Sequence, residues 1–333
     1  MKITFVNPPN CGRSIPEEEY GITSLKMIFR GEPLALESLA GVLKKHDVEI
    51  IDLKVDPTGL DYILQGIDRP DIIGFTAVTC EANTVKKLAG KIRDAFTYNP
   101  PLVVVGGHHA STAPNFFNCE QFDFIVIGLG RASFKQLVDA IENGYEDFEI
   151  PGVLKTNPNP RPSYRTRRYT NDDLMDEFPP DYGLVEKNRD HYVMSGVGGR
   201  VGFVVTAFGC THCCVFCSIP SMTNGRYLTH SVEAIVRDIK VLRDIELIRF
   251  VDANTFGNEF AAKELATRLL NLDIKKRFVA DVRADTVVKN PELMTLWKKA
   301  GLGAVVIGFE EIDNERLKTM NKESSFNLNK EAL

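Results

Sequence analysis

Three cysteines in the second half of the chain, Cys210, Cys214 and Cys217, are spaced C-x3-C-x2-C and follow directly on an apolar run, Val201–Ala207. Thiolates are soft, polarisable ligands that bind iron well, and a loop of this length can wrap three corners of one cubane. The fourth iron of a [4Fe-4S] cluster would then have no protein ligand. An open iron accepts an amine and a carboxylate, which is what the methionine end of S-adenosylmethionine offers. Zinc is the competing occupant. Cys210–Cys213 and Cys214–Cys217 can be counted as two C-x2-C pairs, but they abut and leave no knuckle turn between them. On the iron reading Cys213 is a bystander thiol.

The other cysteines, Cys11, Cys80 and Cys119, are scattered, and the total of seven is odd. An odd count with one tight cluster argues against a disulfide framework and for a reducing compartment. The net charge of −5 gives no reason to expect nucleic acid or an anionic membrane as partner. No apolar run approaches the ~18–20 residues of a membrane span. The start, Met1–Val6, is too short for a signal peptide and turns polar at Asn7. The expected location is the cytoplasm.

The elements that must position the cysteines form two series. Residues 199–333 read as strand Val201–Ala207, helix Val232–Arg243, strand Leu247–Val251, helix Phe260–Leu270, strand Phe278–Val282, helix Pro291–Lys299 and strand Ala304–Ile307. Asp252, Arg283 and Glu310 stand at or just beyond the carboxyl ends of these strands, the edge where such barrels build their sites. Each could equally serve in a salt bridge between strands.

Residues 1–148 read as five β-α repeats, with strands at Lys2–Val6, Glu49–Leu53, Ile72–Phe75, Leu102–Val105 and Phe124–Ile127. Helices are expected at Leu34–Lys45, at a short stretch ending near Ile63–Ile67, from Glu81 to Ala95, and from the last strand to about Ile141. Continuous runs such as Val103-Val104-Val105 suit strands buried on both faces, so the class is a doubly wound parallel α/β sheet. Ligands of such sheets sit beyond the strand carboxyl ends at the topological switch point. The loops there carry Asn7-Pro8-Pro9, Thr76–Thr79, Gly106-Gly107-His108-His109 and Gly128-Leu129-Gly130. Glycines at this edge either let a flat, bulky ligand approach or simply make tight βα turns. One of His108 and His109 contacts the ligand, or both are hydrogen-bonded structural residues. G-x-G-x-x-G is absent after the first strand, against a nicotinamide dinucleotide.

Between the two series, residues 149–198 hold Pro151, Pro158, Pro160, Pro162, Pro179 and Pro180 and a basic run from Arg161 to Arg168. Proline blocks regular structure, so the stretch reads as a surface connection.

The motif Cys210-x3-Cys214-x2-Cys217, with the aromatic Phe216 before the third cysteine, resembles the radical S-adenosylmethionine superfamily. The resemblance implies a partial (β/α)6 barrel whose cluster loop follows the first strand, with Asp252, Arg283 and Glu310 lining the S-adenosylmethionine pocket. An arginine there suits the methionine carboxylate. Only four barrel strands are present, so the sequence is expected to be truncated. An α/β domain ahead of such a barrel is similar to the cobalamin-binding subfamily. The matching segments are Val6–Pro9, Arg30–Leu34, Gly106–Ala110 and Val126–Gly130. Lys275–Arg277, Leu296–Leu302 and Ile307–Asp313 resemble the hopanoid C-3 methylase branch in particular. The resemblance makes Asn7, Pro8, Thr76, Gly106, Gly107, His108 and Gly128 cobalamin contacts, and Phe216 a neighbour of the cluster.

Two positions depart from the pattern. The loop Asn7-Pro8-Pro9-Asn10-Cys11-Gly12 lacks D-x-H-x-x-G, so no histidine from it would reach cobalt. Gly130 is followed by Arg131 where an acidic residue is usual.

The resemblance implies cobalamin, S-adenosylmethionine and a [4Fe-4S] cluster as cofactors, with flavodoxin or ferredoxin as electron donor. A 5′-deoxyadenosyl radical would take hydrogen from an unactivated carbon of a hydrophobic substrate, and methylcobalamin would deliver a methyl group to it. No side chain stands out as a general base. Three other readings stay open. One is an oxidative ring cyclase of tetrapyrrole synthesis. Another is a methylthiotransferase with a second cluster on Cys11, Cys80 and Cys119. The third is a non-catalytic cobalamin or cluster sensor.

Overall fold

The computed structural model describes residues 1–9, 29–145, 149–157, 165–194 and 199–333. Asn10, Cys11, Gly12, Pro158, Pro160, Arg161 and Pro162 lie outside the described residues. The chain divides into two compact units. Met1–Arg168 with Phe178–His191 forms the first, and Tyr169–Glu177 with Tyr192–Leu333 the second. Residues 149–198, read from sequence as a surface connection, contribute to both.

In the first unit, strands β1 (Lys2–Asn7), β3 (Asp47–Asp52), β4 (Ile72–Thr76), β5 (Leu102–Gly106), β6 (Phe124–Val126) and β7 (Val153–Lys155) form one sheet in the order β3-β1-β4-β5-β6-β7. A two-residue strand, β2 (Phe29–Arg30), precedes β3 in the chain. All pairings from β3 to β6 are parallel, and β7 closes the edge antiparallel to β6. Ile3, Val6, Ile72, Ile73, Val103 and Val105 are wholly buried, as continuous apolar runs in a parallel sheet require.

Helices α1 (Leu34–Gly41), α2 (Asp61–Leu64), α3 (Ala82–Ala95), α4 (His108–Thr112) and α5 (Gly130–Glu142) connect these strands. In α3, Val85, Ala89 and Ile92 repeat at i, i+4 and i+7 and bury one stripe in the core. The returning segment Phe178–His191 is tied to the unit by an ion pair between Arg189 and Glu32, both buried. Arg131 donates to the Phe178 carbonyl, so the residue that breaks the expected acidic pattern has a structural partner here.

In the second unit, β9 (Gly199–Val204), β12 (Leu247–Phe250), β13 (Arg277–Val282) and β14 (Leu302–Ile307) are parallel neighbours in the order β14-β13-β12-β9, and β8 (Val193–Met194) adds antiparallel to β9. Helices α7 (Val232–Val241), α8 (Glu259–Asn271), α9 (Ala284–Lys289) and α10 (Pro291–Ala300) alternate with them, making a partial (β/α) barrel. A short α6 (Ile219–Met222) lies in the cysteine loop, and α11 (Asn314–Thr319) and α12 (Phe326–Ala332) follow β14. Ser231 and Asn258 cap α7 and α8, accepting from Ala234 N at 3.3 Å and Ala261 N at 3.2 Å. The core centres on Trp297, wholly buried, whose ring lies 5.7, 5.0 and 6.0 Å from those of Phe250, Phe256 and Phe278. Its Nε1 donates to Ala262 O at 3.1 Å, which removes the cost of burying the indole N–H.

Candidate functional site

The cysteine loop leaves the barrel just beyond β9 and is closed at its base. Strands β10 (Ala207–Phe208) and β11 (Leu228–Thr229) pair antiparallel, so residues 209–227 form an excursion between two joined ends. Gly209, at φ +87°, passes so close to the returning chain that an added Cβ would lie 2.0 Å from Arg226 O. Only glycine fits there. Thr223 Oγ1 donates to the same carbonyl at 2.7 Å.

Within this excursion Cys210, Cys214 and Cys217 are half-buried and Cys213 is exposed. Burial pushes the Cys210 thiol up, and the Cys214 and Cys217 sulfurs add to the effect, while the His212 N–H and Arg283 oppose it. The three sulfurs are thus electrostatic neighbours, and iron bound among them would relieve their mutual repulsion. Among the described residues no three His, Cys, Asp or Glu side chains converge as on a single ion. Three thiolates spaced C-x3-C-x2-C suit three corners of a cubane.

The three charged residues expected at the S-adenosylmethionine pocket all lie around this loop, and each is engaged by the protein. Asp252 is buried at the end of β12 and accepts from Thr206 N (2.7 Å), Thr206 Oγ1 (2.6 Å) and Ala207 N (2.9 Å). It fixes the chain immediately before the cysteines. Burial raises its pKa against the pull of those hydrogen bonds. Arg283, also buried, donates to Asp285 Oδ1 at 2.8 Å and to Lys322 O at 2.8 Å. Glu310, at φ +66°, accepts from Lys322 Nζ at 3.1 Å. Phe216 is more than half exposed and has Lys322 Nζ 5.8 Å from its ring centroid.

Sequence reasoning missed Asn321, Lys322 and His212. Asn321 Nδ2 donates to Cys213 O at 2.9 Å, and His212 Nε2 lies 3.4 Å from Glu323 Oε2. The available signal was an Asn-Lys pair just after a helix, where Asn often adopts a left-handed turn.

In the first unit the strand order places the topological switch between β1 and β4, beside the loops that begin at Asn7 and Thr76. Asn7 is buried, and its Nδ2 donates to Asp52 Oδ1 at 2.8 Å, locking the ends of β1 and β3 together. Pro8 is buried beside it. Ala77 N donates to Gly106 O at 3.1 Å. Ser111 Oγ donates to Gly107 O and accepts from Gly128 N, both at 2.8 Å. The loops after β4, β5 and β6 are therefore laced into one edge. Gly106, Gly107 and Gly128 are half-exposed, so a flat macrocycle could lie close to their backbone.

The two histidines separate. His109 packs edge-on against Phe116 and Phe117 at 4.9 and 5.5 Å, and its Nδ1 lies 3.3 Å from Thr79 Oγ1. Burial, with His108 adding to it, lowers its pKa. His108 opens α4 and is half-exposed at the edge. Cys80 is exposed, whereas Cys119 packs on the core of this unit.

Comparison with known proteins gives two family matches. The B12 binding domain matches residues 24–138 and the radical SAM superfamily residues 204–333. An uncharacterized methyltransferase of Pyrococcus horikoshii is 32% identical, over 97% of this chain and 68% of its own length. The hopanoid C-3 methylase of Methylococcus capsulatus is 28% identical over 92% of this chain and 59% of its own. The anaerobic magnesium-protoporphyrin IX monomethyl ester cyclase of Synechocystis is 24% identical over 100% and 66%. The chain thus spans about 59–68% of the length of these relatives. Among solved structures, the cobalamin-dependent S-adenosylmethionine radical enzyme OxsB, with aqua-cobalamin bound, aligns at a TM-score of 0.77 and 20% identity, over 100% of this chain and 47% of that one. The radical S-adenosylmethionine methyltransferase TsrM of Kitasatospora setae, with tryptophan and a SAM analogue bound, aligns at 0.74 and 18%, over 98% and 64%. At these identities the structures show the fold. Among the described residues no helix is long and apolar enough to cross a membrane.

Proposed function

Since the chain belongs to the cobalamin-binding radical S-adenosylmethionine family, we propose that it methylates an unactivated carbon of a hydrophobic small molecule. The observation that carries this reading is the hairpin-closed loop of three neighbouring thiols at the carboxyl end of a parallel strand, in a chain that also holds a B12 binding domain. The cluster and cobalamin, when bound, supply one-electron cleavage of S-adenosylmethionine and methyl transfer. The protein's own part is to hold and orient them. Cys210, Cys214 and Cys217 bind iron and leave one corner open. Asp252 fixes the strand end that feeds the loop. Asn7, Pro8, Thr76, Gly106, Gly107, His108 and Gly128 form the edge offered to cobalamin. A ferredoxin or flavodoxin supplies the electron. No nucleic acid partner is proposed.

The similarity to the cyclase over the whole chain favours a second reading, oxidative ring closure without methyl transfer. The test is anaerobic reconstitution with iron, sulfide and hydroxocobalamin, then turnover with methyl-labelled S-adenosylmethionine, a reductant and fractionated lipid and tetrapyrrole extracts. Label in an apolar product together with 5′-deoxyadenosine supports the methylase. 5′-Deoxyadenosine with an oxidised, unlabelled product supports the cyclase. About eight irons per chain, rather than about four per cubane-binding set of thiolates, would instead point to a methylthiotransferase. A loaded cluster that never cleaves S-adenosylmethionine would leave a sensor.

A further inference from the structure

Four consecutive residues after α11, Met320–Glu323, meet the cysteine loop at four positions between residues 212 and 216. Val215 N donates to Met320 O at 3.0 Å, and Asn321 Nδ2 donates to Cys213 O at 2.9 Å. Lys322 Nζ sits over the Phe216 ring, and His212 Nε2 faces Glu323 Oε2. These contacts fall on residues 212, 213, 215 and 216, between and beside the three ligand cysteines. The strip is itself gripped from the barrel side, with Arg283 donating to Lys322 O and Glu310 pairing with Lys322 Nζ. Asn321 and Glu323 adopt φ of +51° and +52°, a left-handed bend that turns the strip against the loop.

A loop that must present three thiolates to one cube needs its backbone held in one shape. Cys217 N donates to Cys214 O at 3.1 Å, but the carbonyl of Cys213 and the amide of Val215 are both held from outside. Backbone groups left unpaired there would turn to water and let the loop relax away from a cluster-ready shape.

We propose that Met320–Glu323 is a template that holds the cysteine loop in its cluster-binding shape, with Asn321 as its positioning residue. This rests on Cys210, Cys214 and Cys217 being the ligands. Arg283 and Glu310 then anchor the template from the barrel side. Asn321 acts through the Cys213 carbonyl.

The test uses the full chain with Asn321→Gly, Asn321→Asp and Lys322→Met. Glycine keeps the left-handed bend without strain and removes only the amide. Aspartate tolerates the bend and matches the shape, but sets an acceptor against the Cys213 carbonyl. Outer hydrogen bonds at metal sites are worth roughly ten- to hundredfold in affinity. Iron loss to a chelator should therefore be roughly tenfold faster in Asn321→Gly and faster still in Asn321→Asp. The EPR spectrum and midpoint potential of the reduced cluster should shift in both, because N–H contacts to the sulfurs move with the loop. Lys322→Met, which removes two different contacts, should shift iron loss in the same direction. Thermal unfolding of the iron-free proteins should match wild type within a few degrees. If Asn321→Gly retains iron as wild type does and its spectrum is unchanged, the template role is overturned. The ligand assignment is read separately. Wild type that takes up no iron, or a Cys210→Ala variant that takes up the full complement, removes that assignment and the template with it.

Discussion

At Gly107 the backbone takes φ +93°, and an added Cβ would lie 2.6 Å from Thr76 Oγ1 and 2.8 Å from Ala77 N. Both atoms belong to the neighbouring end of β4 and the loop after it, at the edge proposed for cobalamin, and the second is part of the backbone. Gly107→Ala therefore imposes a left-handed non-glycine conformation, worth about 1–3 kcal/mol, and pushes two loops apart. The expected outcome is a lower urea midpoint and weaker retention of hydroxocobalamin on gel filtration. A variant equal to wild type in both would mean that the edge repacks without cost. The residue scale also shows where sequence reading stops. His108 and His109 are adjacent in the chain, and no periodicity separates them. Phe116 and Phe117, which close on His109 after a further turn, are set by tertiary packing and not by the local pattern. Asp252, Arg283 and Glu310 could be placed at strand ends from the pattern of apolar runs. The partner of the last two, Lys322, comes from a segment marked in the sequence by no more than an Asn-Lys pair after a helix.

At the scale of elements, the parallel strands were legible because burial on both faces writes a continuous apolar run. The expected Leu102–Val105 is observed as Leu102–Gly106, and Phe278–Val282 as Arg277–Val282. The run Val201–Ala207 splits into β9 and β10, because Thr206 leaves the sheet to bond Asp252. What the pattern does not write is a tie made by one charged residue in a proline-rich stretch. Asp176, in Tyr169–Glu177, accepts from His230 Nδ1 at 2.5 Å and from Ser231 N at 2.7 Å, beside the start of α7. Arg237 Nη1 donates to its carbonyl at 2.6 Å. Burial works against the Asp176 carboxylate, yet the bonds from His230 and Ser231 win and hold its pKa at about 2, below the ordinary 3.8. A depressed carboxyl stabilises the fold fully above its unfolded pKa, and that contribution is lost as pH falls through the folded value. Asp176→Asn should thus lower stability by about 1 kcal/mol near neutrality, a figure reduced because the group is only half buried. The gap to wild type should narrow as pH falls from about 4 toward about 2. Urea curves for both proteins at a series of pH values check this; a gap that widens in acid would reverse the assignment.

At the scale of the whole molecule, the chain carries a single tryptophan, Trp297, and it lies at the centre of the second unit's core. Its fluorescence therefore reports unfolding of the unit that holds the cysteine loop. That loop is spliced between β10 and β11 and fixed to β12 through Asp252, so three thiols can stay on one cube only while these elements stay folded. A ligand that binds the folded state and not the unfolded one raises stability by about 2.7 kcal/mol at a hundredfold excess over its Kd. For a unit of this size that corresponds to roughly 5–10 °C in the melting midpoint. Anaerobic loading with iron and sulfide should raise the Trp297 midpoint by about this amount. A chelator should return it to the starting value, and Cys210→Ala should show no rise. The midpoint rather than the intensity is the proper readout, because a bound cluster also quenches the indole. If about four irons bind per chain and the Trp297 midpoint stays where it was, the cluster is not held by the folded second unit, and the hairpin-closed loop is not its site.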